Sequence, residues 1–220
     1  MTVVDTQYRK IAAILIAAWS AIALTASALG VFSSPVGSAL HPPLPLGLAV
    51  VLPIAIFAVW MASSAGFRQF IHSLDSRLLT LLHAWRIGGF VFLVLATYHI
   101  LPRPFALSAG WGDITIGVTA PLAAFYLARG QHRAGFIAWQ LLGVADLVAA
   151  VVLGVLSSAT PIGLLNHGVN SGAMGQLPLS LIPTFAVPLL LILHVICIAQ
   201  AIRWPARAQM AHRMAFGTTG

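Results

Sequence analysis

The sequence predicts an all-α, polytopic membrane protein: a bundle of six transmembrane helices with both termini in the cytoplasm. Two observations lead to this prediction. Hydrophobic residues make up 60% of the 220-residue chain, only 7% of its residues are charged, and its mean hydropathy is +0.97. Soluble domains carry about 25% charged residues, so this chain is solvated by lipid. The apolar residues also fall into runs of about 20, the length that crosses a bilayer as a helix.

Six apolar runs are long enough to be spans. Arg9 and Lys10 precede the first run, and Pro53 is expected to kink the second. Because a backbone in hydrocarbon must satisfy its own hydrogen bonds, each run is predicted to be a helix. The predicted spans are 11–32, 46–63, 77–101, 111–128, 134–157 and 177–203, in a single domain of residues 1–204 followed by a cytoplasmic tail, 205–220.

The distribution of lysine and arginine predicts the orientation. Of the 11 such residues, nine fall on one side of the six-span arrangement, Arg103 falls on the other, and Arg86 lies inside the third span. The positive-inside rule places the basic side, and with it both termini, in the cytoplasm. The net charge of +7 is thereby explained by topology, so the expected partner is the lipid bilayer and not nucleic acid.

A short amphipathic helix is predicted between the second and third spans, in the stretch "FRQFIHSL" at residues 67–74. Its apolar residues recur every three or four positions from Phe67, opposite polar ones. Such a helix is expected to lie on the cytoplasmic interface and to orient the third span. Asp75 or Ser76 then caps that span.

Arg86 in the third span and Asp146 in the fifth are predicted to form a buried ion pair, with their two helices adjacent. An unpaired charge at the centre of a span costs about 2.5–3.5 kcal/mol, so each charge needs a partner. Arg86 lies about 14 Å above Arg77, and Asp146 about 20 Å above Arg133, a difference that an arginine side chain can bridge. The pair is compatible with a packing role and with proton or substrate passage.

Two histidines extend this intramembrane polar core. His83 shares an α-helical face with Arg86, Phe90 and Thr97, and His194 in the sixth span lies near the depth of Arg86. Two histidines on facing helices are also compatible with axial ligation of haem, although no cofactor is the leading expectation. The predicted core therefore consists of Arg86, Asp146, His83 and His194.

An outer cavity is predicted near the start of the fourth span. The prolines and glycines of "LPRPFALSAGWGD" are expected to delay the helix until Trp111 and to expose its N-terminus near Arg103. His99 and Asp113 are expected at the same level, and an anionic ligand or lipid headgroup would suit such an N-terminus. Candidate metal ligands, none with local ligand spacing, are His41, His99, Asp113 and His167.

Three segments carry a family resemblance. The stretches "AGWGDITIG", "LLGVADLVAAVVLG" and "MGQLPLSLIPTFAVPLLLILH" resemble a group of small bacterial integral membrane proteins of uncharacterised function, over residues 80–204. The resemblance implies a six-helix body in the bacterial inner membrane. It implies no activity and no catalytic residues.

Three classes of function are compatible with these features. The leading one is a small transporter or ligand-binding membrane protein built around the polar core, and prolines in the spans favour it because they can bend helices around a cavity. The others are a non-catalytic accessory subunit of a larger membrane complex, and a haem-binding redox protein. An enzyme is not indicated, and a homo-oligomer is compatible with the sequence.

Overall fold

The fold is that of a computed structural model, which describes residues 3–33, 44–129 and 132–204. These residues are predominantly helical and contain no strand, as predicted. The candidate ligand His41 and the predicted tail 205–220 lie outside them. The α-helices are α1 (Val3–Ala28), α2 (Leu44–Ser63), α3 (Ala65–Ser73), α4 (Ser76–Leu81), α5 (Phe90–Thr97), α6 (Arg103–Leu122), α7 (Arg133–Leu156) and α8 (Val187–Ile202).

Five helices in the described residues are long and apolar enough to cross a membrane. They correspond to five of the six predicted spans. The exception is the fourth predicted span, which matches α6. Arg103, Asp113 and several glycine, serine and threonine residues lower the hydropathy of this helix. The first helix also begins earlier than predicted, and the last begins later. The five helices are Thr6–Ala28, Leu44–Ser63, Ser76–Thr97, Arg133–Leu156 and Ile182–Ile202.

The fourth helix begins eight residues earlier than predicted, at Arg103 instead of Trp111. Pro102 has extended backbone angles just before the helix, and Pro104 lies in its first turn. Proline is well tolerated there because the first N–H groups of a helix have no intrahelical partner. The prolines therefore start α6, and the prediction that they delay it is wrong.

The third span is interrupted in its middle. A 3-10 helix at Leu82–Gly89 joins α4 to α5 and carries both His83 and Arg86. A 3-10 stretch inside a longer helix often marks a hinge or a functional site. The N-terminal end of the third span is capped by Asp75, whose Oδ1 accepts a hydrogen bond from the backbone N–H of Arg77 at 2.8 Å.

The predicted amphipathic segment is a helix, α3, but its apolar face packs against protein. Phe67 stacks on Trp60 of α2 with ring centroids 4.0 Å apart, and Phe70 stacks on Tyr8 of α1 at 5.6 Å. Both phenylalanines are buried. α3 thus ties the two N-terminal helices to the bundle, because aromatic partners on α1 and α2 cover the face that was expected to meet lipid.

The centre of the bundle is α6. It packs against the 3-10 helix, α5 and α7, while α8 covers α7 and α4. α1 and α2 are peripheral and bury very few of their residues. Because α6 packs against both the third span and α7, it brings its own side chains between the two helices that carry Arg86 and Asp146.

Candidate functional site

Arg86 is the centre of a charge cluster, defined as Arg86, Asp113 and Asp146. The Arg86 side chain is almost inaccessible to solvent, at 1% exposure, whereas the side chains of Asp113 and Asp146 are 18% and 15% exposed. Nε donates to Asp113 Oδ1 at 2.7 Å, and Nη2 donates to Asp146 Oδ2. The contact with Asp146 agrees with the depth argument from the sequence. The guanidinium thus joins three helical segments through two carboxylates instead of one.

Asp113 belongs to this cluster and not to the outer end of the bundle. Since α6 starts at Arg103, Asp113 lies about 15 Å further along the helix. His99 and Arg103 are both exposed near the start of α6. The predicted outer cavity of His99, Arg103 and Asp113 is therefore not formed, and an exposed helix N-terminus at Asp113 that could bind an anion does not exist.

His194 on α8 completes the hydrogen bonding of the guanidinium. Arg86 Nη1 lies 3.3 Å from His194 Nε2. Because arginine can only donate, Nε2 must accept, and the ring proton then resides on Nδ1. Nδ1 in turn donates to Oε1 of Gln140 on α7, a residue that is fully buried. His194 is therefore held as a neutral tautomer by partners on two other helices.

Gln140 connects this site to the N-terminal end of α4. Its Nε2 donates to Thr80 Oγ1 at 3.3 Å, and Thr80 Oγ1 donates to the carbonyl of Ser76 at 2.7 Å. The Ser76 hydroxyl donates to Gln200 Oε1 at 2.6 Å. Neither Gln140 nor Thr80 was singled out in the sequence, where a lone uncharged polar residue in an apolar run gives no distinguishing signal.

His83 stacks on His194 instead of facing it across a gap. The ring centroids are 3.9 Å apart with an interplanar angle of 20°, and Trp139 meets the edge of the pair. His83 is completely buried, and among the residues that the structure describes neither of its ring nitrogens has a hydrogen-bond partner. A porphyrin does not fit between stacked rings, so this pair is not arranged as axial ligands and the haem hypothesis is wrong for it.

The candidate metal ligands do not assemble in the described residues. Within those ranges, no three histidine, cysteine, aspartate or glutamate side chains come together as a metal site. His99 and His167 are exposed, and Asp113 is engaged by Arg86. His41 lies outside the described ranges. The predicted set of ligands is thus dispersed over different parts of the fold.

Glycines permit the close helix packing on which the cluster depends. A Cβ atom at Gly112 would overlap the Asp146 carboxylate, and one at Gly89 would overlap Asp113. A Cβ at Gly143 would occupy the position of the His194 ring. Because these three positions lack a side chain, the polar groups of the facing helices can occupy the space beside them.

An apolar cavity of about 450 Å³ borders the charge cluster. It lies between α2, α6, α7 and the start of the last span, and its wall includes Val51, Phe105, Ala150 and Ile182. Among the described residues Asp113 is its only charged lining residue, and His99 and Arg103 do not line it. The carboxylate of Asp113 thus connects a largely hydrophobic space to the buried guanidinium.

Comparison with known proteins gives one match. A family described as a domain of unknown function (DUF8737) matches residues 42–202, which include the whole charge cluster and the described lining of the apolar cavity. No curated protein and no solved structure matches the chain.

Proposed function

Since the chain belongs to this family of unknown function, we propose its function from the site: it is a membrane transport protein that binds a mainly apolar small molecule in the apolar cavity. The observation that carries the proposal is that this cavity borders the charge cluster through Asp113. Ligand pockets are typically about 300–1,000 Å³, mostly apolar, with a few placed polar groups. A volume of about 450 Å³ with one charged wall residue fits that description.

Loose packing of α2 supports movement of a ligand into and out of the cavity. α2 supplies one wall of the cavity through residues such as Val50 and Val51, yet Phe57 is the only residue of this helix that is buried. Elements with few buried contacts open at low free-energy cost. Displacement of α2 would expose the cavity while the more tightly packed helices α6 and α7 keep the charge cluster in place.

The break in the third span also favours transport. Transporters commonly use discontinuous helices at mid-membrane, where irregular backbone is tolerated because it lines a site instead of facing lipid. Here the 3-10 helix Leu82–Gly89 places Arg86 against α6 and α7. A change in its pitch would move Arg86 relative to both carboxylates.

The proposal includes a six-span topology in the bacterial inner membrane, with α6 as the fourth span in chain order, in addition to the five apolar helices. The five apolar helices and the excess of basic residues on one side support it, and pairing of Asp113 with Arg86 lowers the cost of inserting α6. Reporter fusions after residues 101 and 168 are expected to indicate the periplasm. Fusions after residues 74 and 131 are expected to indicate the cytoplasm, and a reversed result at any point contradicts the topology.

Filling the cavity is expected to abolish ligand binding without unfolding the protein. Ala150→Phe places a ring in the cavity wall, whereas Ala145→Phe adds the same ring to an exposed position of α7. With protein in lipid nanodiscs, the neutral fluorescent probe N-phenyl-1-naphthylamine should bind saturably to the wild type and to Ala145→Phe. Its affinity for Ala150→Phe should fall by about tenfold or more, a change of ~1.4 kcal/mol.

A second outcome of the binding experiment would contradict the proposed ligand site. If the saturable binding is absent, or is the same in Ala150→Phe and Ala145→Phe, the cavity is not a ligand site. The charge cluster would then be a packing device of the kind expected in an accessory subunit.

A further inference from the structure

The charge cluster contains more negative than positive side-chain charge. Arg86 carries one positive charge and contacts two carboxylates, Asp113 and Asp146, so the cluster has a net charge of −1 when both are ionised. A buried charge without compensation is strongly disfavoured, because the protein interior cannot replace its hydration. One further positive charge, from a proton or a ligand, is therefore needed at this place.

The groups that surround Asp113 do not provide that charge. On the 3-10 helix it faces Arg86, which it shares with Asp146 of α7. His194 of α8 accepts a hydrogen bond from Arg86 and is thereby neutral. Nothing in the described residues pairs a second lysine or arginine with either carboxylate.

His83 does not supply the missing positive charge either. It is fully buried against His194, and within the described part of the chain both of its ring nitrogens lack a hydrogen-bond partner. His83 stacks on His194, and His194 in turn accepts a hydrogen bond from the guanidinium of Arg86. A buried imidazole close to a guanidinium is neutral, because its charged form would lose hydration without gaining a partner.

The electrostatics of the apolar cavity favour a cation over an anion. In the described part of the chain Asp113 is the only charged residue that lines this cavity, and Arg86 is not part of the wall. The guanidinium is turned toward Asp113, Asp146 and His194, so an anion in the cavity would meet the carboxylate and no cationic donor. An ammonium or phosphonium group with apolar substituents would meet a carboxylate in an otherwise hydrophobic space.

We infer that the ligand of the apolar cavity is an apolar monovalent cation, and that it exchanges with a proton held by the Asp113–Asp146 pair. This inference rests on the proposed function. In the exchange, the O–H bond of the protonated carboxyl breaks, the proton leaves to water, and the carboxylate that remains pairs with the entering cation. The ionised cluster carries a net charge of −1, and either the proton or the bound cation compensates it with one positive charge. The step is therefore an antiport of proton and cation.

The test uses two probes of the same shape and opposite charge, tetraphenylphosphonium and tetraphenylborate. The full-length protein in nanodiscs is titrated with each probe, and binding is taken as the part lost in Ala150→Phe. We expect cavity-dependent binding of tetraphenylphosphonium alone, with release of about one proton per bound cation, measured with a pH-sensitive dye in weak buffer. Asp113→Asn should abolish proton release and weaken cation binding by about tenfold or more, ~1.4 kcal/mol.

A matched control separates the charge cluster from general effects of removing a carboxylate. Asp75→Asn removes a carboxylate at the cap of α4, where asparagine is an equally good cap, and it should leave both measurements unchanged. Should tetraphenylborate bind in the cavity as well as tetraphenylphosphonium, or the cation bind without proton release, the inference is wrong and the proposed function stands. If neither charged probe nor N-phenyl-1-naphthylamine binds saturably, both fail together.

Discussion

Replacing Arg86 with methionine is expected to lower the free energy of unfolding by about 3–5 kcal/mol or to prevent folding altogether. Methionine has a similar length, so the main loss is the positive charge and its hydrogen bonds to Asp113 and Asp146. Two carboxylates that are only partly exposed would then repel each other without a cationic partner. The measurement is denaturant-induced unfolding of the purified protein in mixed micelles, with yield in the membrane fraction as a second readout.

Because Arg86 pairs with two carboxylates, the stability lost in Arg86→Met should largely return only when both carboxylates are neutralised. Arg86→Met combined with Asp146→Asn still leaves Asp113 as an unpaired, largely desolvated charge, so only part of the stability should return. Adding Asp113→Asn neutralises the cluster completely and should restore most of it. Arg103→Met, at an exposed site, should change stability by no more than about 0.5 kcal/mol. Equal stability of the double and triple variants would show that Asp113 has no part in the cluster.

The charge cluster could have been predicted in full from correct helix ends. Arg86 lies 11 positions from Thr97 at the outer end of the third span, and Asp113 lies 10 positions from Arg103. Asp146 lies 10 positions from Leu156. At 1.5 Å per residue all three charges lie about 15 Å from the outer ends of their helices. The sequence-based prediction starts this helix at Trp111, which places Asp113 near the outer end of its helix instead of about 15 Å from it. The cause is that prolines which begin a helix resemble prolines which break one.

The orientation of side chains on the third span could not be predicted from an α-helical period. His83 and Arg86 are buried, but Phe90 and Thr97, assigned to the same face, are exposed. Residues in a 3-10 helix advance by about 120° instead of about 100°, so eight residues shift the following turn by about 160°. Within the 3-10 helix the buried positions are accordingly His83, Arg86 and Gly89, at intervals of three.

Other features depend on tertiary packing alone. The stack of His83 on His194 requires two helices that are more than 100 residues apart in sequence to approach at one level, and Gly143 to leave room for the ring. The apolar cavity depends on the distance at which α2 lies from α6 and α7, which hydrophobic periodicity does not encode. The sequence does reveal the inward faces of α6 and α7, because small residues recur there beside the aspartates.

Gly117→Ala is expected to be the most damaging of the conservative changes near the cluster. A Cβ atom there would lie 2.5 Å from the backbone nitrogen of Ile87 and 3.0 Å from the carbonyl carbon of Arg86. Backbone atoms cannot rotate away, so the 3-10 helix and α6 would have to separate, at a cost of about 1–3 kcal/mol or more. Separation would also lengthen the hydrogen bond between Arg86 and Asp113, now 2.7 Å.

Gly88→Ala is the matched control for this change, since it lies in the same 3-10 helix with nothing within 4 Å of the added atom. It is expected to be neutral or to stabilise by up to about 1 kcal/mol, because alanine restricts the unfolded chain more than glycine. Unfolding midpoints of the two variants in the same micelles give the comparison. Because Gly117→Ala keeps every charge, its loss of stability would be due to helix separation alone. Equal midpoints would mean that α6 does not approach the 3-10 helix closely enough for Arg86 to reach Asp113.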